Sequence, residues 1–147
     1  MKVPRSYHPL FVLLFGMFFA AAVFAVGSVV ELPPDWNHGL NLPSIGVGLL
    51  LGLLWVGIEA LQERAEGADY LRRQLLRRRS TLFGRYWLLR GLWWVLLFAL
   101  GGTFGRLWLL GAVILGMGLA YPYWRGHWQR LQRVAQEETV AAESTTG

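Results

Sequence analysis

Two ionisable residues, Glu59 and Arg90, sit inside otherwise apolar stretches of this chain. A lone charge is costly in hydrocarbon. A carboxylate or guanidinium at such a place therefore pairs, lines a path for ions or protons, or stretches its head group back to the interface. At 1.5 Å per residue, Glu59 lies about 22 Å beyond Ser44 in a core of roughly 30 Å, and Arg90 lies about 6 Å inside the same boundary. Both fall at one level, so the expected arrangement is an intramembrane ion pair between Glu59 and Arg90. Separate snorkelling and a transport role are the alternatives.

The next constellation is Arg72, Arg73, Arg77, Arg78 and Arg79. A basic cluster beside a membrane span attracts anionic headgroups at about 1 kcal/mol per residue. The cluster is expected to set topology and to contact anionic lipid headgroups or the acidic face of another subunit. Nucleic acid is not an expected partner, because the arginines are held against the membrane and no stacking aromatics interleave with them. Histidines are His8, His38 and His127. A haem between helices needs facing histidines on two of them, whereas His8 and His127 come at the ends of helical segments and read as interfacial polar residues. Cysteine is absent, which removes disulfides and thiolate metal sites. No paired carboxylates, Ser-His-Asp set, HExxH or phosphate loop is visible, and Glu31 and Asp35 share a loop too short to enclose an aqueous site. The expectation is no catalytic residue, no metal, no cofactor and no enzyme activity.

The elements that must carry these groups are long apolar runs. The 147 residues have a mean hydropathy of +0.38 and a net charge of +5. Apolar segments at about 10–30, 44–61, 86–102 and 106–124 are each near the length that spans a bilayer. The first follows Lys2 and Arg5 and resembles a signal peptide, but its apolar run is longer than a signal h-region, so an uncleaved anchor helix is expected. Pro33 and Pro34 stop that helix. After the second segment the helical spacing continues through Leu61, Ala65, Ala68, Leu71 and Leu75, which predicts a helical cytoplasmic extension over about 62–80 with a break at Gly67. GGTFG joins the last two spans in a tight hairpin. Residues 125–136 read as helical, and 137–147 as a flexible tail.

Twelve of the fourteen Lys and Arg residues fall in the N-terminal arm, the loop after the second span and the C-terminal arm. By the positive-inside rule both termini are cytoplasmic. The expected fold is an all-α integral membrane protein: a four-transmembrane-helix bundle in a bacterial inner membrane. Small residues mark its packing faces: Gly16, Ala20 and Gly27; Gly48 and Gly52; Gly91, with Trp94 and Phe98; Gly111 and Gly118. Trp93, Trp94 and Trp108 are expected to face lipid or partners.

Much apolar surface and little chemistry point to a non-catalytic accessory, structural or assembly subunit of a larger membrane complex, with other membrane subunits as partners. A homo-oligomeric channel or small transporter is the alternative, and a regulator responsive to anionic lipid is the third.

Overall fold

A computed structural model describes residues 2–36, 42–76 and 86–147. Among the described residues every regular element is helical. A short 3-10 turn precedes α1 (Pro9–Val29), α2 (Leu42–Glu66), α3 (Ala68–Leu75), α4 (Trp87–Phe104), α5 (Arg106–Leu119) and α6 (Tyr121–Thr146). Helices α1, α2 and α4 are long and apolar enough to cross a membrane; α5 and α6, bent by 54° at their junction, make a fourth span if taken together.

In α1, side-chain size is distributed opposite to a water-soluble core. In α1 the buried positions are Pro9, Gly16, Ala20 and Gly27, while Phe11, Phe15 and Phe18 are exposed. Large side chains outside and small ones inside suit a bilayer, where helices associate by close backbone packing. Helix α5 is the centre, running antiparallel to α1 and parallel to α2. The α2–α5 crossing is the closest. A Cβ on Gly48 would come within 2.7 Å of the Leu109 carbonyl oxygen, one on Gly116 within 2.6 Å of that of Leu49, and one on Gly52 would meet the carbonyl of Val113. On the other face of α5, Gly118 lies against Gly16, and the Phe24 ring covers Gly111.

Helix α4 packs against α2 and α5, its Trp93 sharing one apolar cluster with Leu51 and Ile58 of α2 and Leu109 and Val113 of α5. Three expectations about the tryptophans and glycines change here. Gly91 has no neighbour that a Cβ would touch, and Trp94 and Phe98 are exposed. The packed face of α4 instead carries Trp93, Leu97 and Leu100, which follow Arg90 at helical spacing. Trp93 and Trp108 are buried, not lipid-facing; the Trp93 indole N–H donates to the Leu51 carbonyl at 2.8 Å, and Trp108 stacks on Phe24.

The fourth segment is not one straight helix. Pro122 lacks the N–H that would reach the carbonyl four residues back, and the backbone breaks at Ala120. Trp124 bridges the break, donating its indole N–H to the Met117 carbonyl at 2.8 Å. Beyond the break, Leu131, Val134 and Ala135 pack on Tyr70, Leu71 and Leu75 of α3, and Val3 and Tyr7 of the N-terminal arm join them. Both chain arms and α3 thus share one end of the bundle. At the other end Arg106 lies over the Trp36 ring at 5.2 Å. The expected flexible tail is corrected: α6 is helical to Thr146. Alanine and glutamate favour helix there, and the Ser144, Thr145 and Thr146 hydroxyls bond back to carbonyls of the preceding turn.

Candidate functional site: a buried polar network

Helix α2 ends with Glu59, Gln62, Glu63 and Glu66, spaced i, i+3, i+4 and i+7, so one face carries all four polar groups. Gly67 then turns the chain at φ +57° and ψ −131°, a conformation suited to glycine, and α3 returns Tyr70 and Gln74 to that face. Tyr123, His127 and Arg130 of α6 close the other side, and Arg90 enters from α4. Four helices therefore converge on one cluster at the arginine-rich end.

Two carboxylates anchor it. Arg90 donates to Glu59 at 2.8 Å and also to the side-chain amide oxygen of Gln62 at 2.5 Å. Its guanidinium lies 5.2 Å over the Trp55 ring. Tyr70 donates its hydroxyl to the same Glu59 carboxylate. Burial, and then the Glu59 charge, push the Tyr70 phenol above its ordinary range, so it remains a donor. Glu63 accepts from His127 Nδ1 at 3.0 Å, from Tyr123 at 3.1 Å and from both Nε and Nη2 of Arg130, the latter at 3.2 Å.

His127 and Gln74 join the two centres. Gln74 donates its amide N–H to Tyr70 at 2.8 Å, and its carbonyl oxygen faces His127 Nε2 at 2.7 Å. The imidazole is 1% exposed, and its two nitrogens lie against the Glu63 carboxylate and the Gln74 side-chain amide. A continuous line of hydrogen bonds runs Arg90, Glu59, Tyr70, Gln74, His127, Glu63, Arg130. Around its rim Glu66 pairs with Arg73, and Arg72 pairs with Glu138 at 2.7 Å.

The structure brings Glu59 and Arg90 together. It separates His8, which stacks edge-on with Trp128 at 5.1 Å, from the His127 network. Of the expected arginine cluster, Arg72 and Arg73 are tied to carboxylates, and Arg77, Arg78 and Arg79 lie outside the described residues, as does His38. Glu63, Tyr70, Gln74, Tyr123 and Arg130 were not singled out from sequence. The signal available was spacing: i, i+3, i+4, i+7 in α2 and i, i+4, i+7 in α6. Among the described residues no group of His, Asp and Glu is arranged to hold a metal ion. Comparison with family models, with curated proteins and with solved structures found no match.

Glu59 accepts from Arg90 and Tyr70, and Glu63 from Tyr123, His127 and Arg130, so the network ties α2 to α3, α4 and α6. A buried polar set of this kind is stable only when every member is satisfied.

Proposed function

We propose that this chain is a non-catalytic accessory, structural or assembly subunit of a larger membrane complex. The observation that carries the reading is the close packing around α5. Helix α5 lies in backbone contact with both neighbours through Gly48, Gly52 and Gly116 on one side and Gly16 and Gly118 on the other. Among the described residues Glu59 is bonded to Arg90, and Glu63 to His127 and Arg130, which favours a structural over a relay role for them. What the molecule offers outward is broad apolar surface, including Phe15 and Phe18 of α1 and Trp94 and Phe98 of α4. The polar network then serves to hold α3, α4 and α6 at fixed angles to α2.

We place the protein in a bacterial inner membrane with both termini cytoplasmic, because the basic residues gather at the end shared by the two chain arms. The chain has no cysteine, so single cysteines introduced at Asp35 and at Gln136 report sidedness directly. Labelling of the first from outside and of the second only after permeabilisation is expected; the reverse pattern refutes the orientation.

Crosslinking in native membranes followed by mild-detergent purification tests the role. A stoichiometric second polypeptide is expected. Crosslinks solely between copies of this chain, with ion flux in liposomes, would instead support a homo-oligomeric channel.

A further inference from the structure

Two grooves meet at Arg64. One, of about 570 Å³, lies between the α2–α3 junction and α6 and is lined by Arg64, Arg130 and Arg133, with Glu63 and Glu137 as the opposing charges. The other, of about 510 Å³, lies between α2 and α4 and is lined by Leu54, Gly57, Leu61, Leu92 and Leu96, with Arg64 at its end. Nothing approaches Gly57 within 4 Å of where a Cβ would stand, so the second groove is open along that wall. From Leu54 to Arg64 it follows α2 for about 15 Å.

We propose that these joined grooves hold one anionic phospholipid, its phosphate between Arg64 and Arg133 and an acyl chain along the α2–α4 groove. Among the described residues, Arg64 and Arg133 are exposed and have neither an ion-pair nor a hydrogen-bond partner, unlike Arg72, Arg73, Arg90 and Arg130. Their planar forks match phosphate oxygens in a two-pronged geometry. Of the two carboxylates in the basic groove, Glu63 is turned to His127, Tyr123 and Arg130, which leaves only Glu137 to oppose the two free guanidinium groups. A basic pocket between helices at this level suits a phosphorylated headgroup. Inorganic phosphate shares that chemistry but has no use for the apolar groove, whereas a lipid fills both. Zwitterionic lipid brings an ammonium group that two unpaired arginines repel. Neither Arg72 nor Arg73 lines these grooves, and the inference does not rest on the accessory role.

Native mass spectrometry of the full-length protein, titrated with phosphatidylglycerol, phosphatidylcholine or inorganic phosphate, tests it. One tightly held phosphatidylglycerol per chain is expected, not displaced by millimolar phosphate. The double variant R64Q/R133Q should bind it roughly tenfold or more weakly, and both side chains are exposed and unpartnered, so the fold should be unaffected. G57L, which puts a side chain into the open groove, should also weaken retention. R72Q, outside both grooves, should leave it unchanged. Equal affinity for phosphatidylcholine, displacement by phosphate, unchanged binding in R64Q/R133Q or in G57L, or an equal loss in R72Q would each overturn the assignment.

Discussion

Glu63→Gln removes one charge and changes almost nothing in shape, which makes it the sharpest probe of the polar network. The carboxylate accepts from His127, from Tyr123 and twice from Arg130. A hydrogen bond to a charged group contributes about 1.5–3 kcal/mol, and a buried donor left without a partner costs about 1–3 kcal/mol. Glutamine keeps one acceptor oxygen and turns an N–H₂ group toward donors. The Tyr123 hydroxyl can rotate to accept from it. Arg130, with a side chain 44% exposed, can turn to water. His127 has no such escape, since only 1% of it is exposed. One charge-assisted bond is therefore lost without replacement and a second is weakened, which gives about 2–3 kcal/mol. Arg130→Gln, by contrast, should cost about 1 kcal/mol, because that partner is half in solvent. The two changes remove the same interaction, so the double variant should fall short of their sum by roughly 1 kcal/mol. Unfolding of the purified protein in mixed micelles, followed by circular dichroism against denaturing-detergent fraction, reads all three. A loss below about 0.5 kcal/mol for Glu63→Gln, or full additivity, would refute the view that this carboxylate ties α6 to α2.

Three further outcomes are expected from the same assay. Gly52→Val should destabilise by at least 1–3 kcal/mol, the usual cost of overpacking, because its side chain would meet the Val113 backbone; Gly91→Ala, in open space, should stay within about 0.5 kcal/mol. Glu59→Gln and Arg90→Gln should each destabilise yet combine with a coupling of about 1 kcal/mol, discounted because the Arg90 side chain is 32% exposed; additive losses would show that the pair contributes nothing. Gly67→Ala should cost about 1–3 kcal/mol through the φ of +57° that a Cβ opposes, and unchanged stability would mean that the α2–α3 corner relaxes freely.

Much of the frame was legible in the residues. Runs of apolar side chains marked the helices, Pro33 and Pro34 the first stop, Gly67 a corner, and counting along each helix put Glu59 and Arg90 at one level. The network around them was harder to see. Spacing shows that Glu59, Gln62, Glu63 and Glu66 share a face, but not that α6 will lie against it. That depends on Ala120, where Pro122 breaks the helix and redirects the following turns by 54°. Once redirected, Tyr123, His127 and Arg130 meet Glu63, and a histidine that reads as interfacial becomes one of the most buried side chains in the molecule.

The rotation of α4 shows why small-residue stripes alone mislead in such a chain. Gly91, Trp94 and Phe98 form as plausible a packing face as Trp93, Leu97 and Leu100, and in lipid neither face gains by leaving solvent, since hydrocarbon accommodates both. Hydrophobicity does not choose between them. Polar atoms do: the Arg90 guanidinium has to reach Glu59, and the Trp93 N–H has to find an acceptor, which the Leu51 carbonyl supplies. An indole N–H left unsatisfied in hydrocarbon costs more than the difference between two apolar contacts. The same logic orders the bundle. Close glycine contacts set how near α5 lies to α1 and α2, while the few groups that must hydrogen-bond decide which way the helices around them turn.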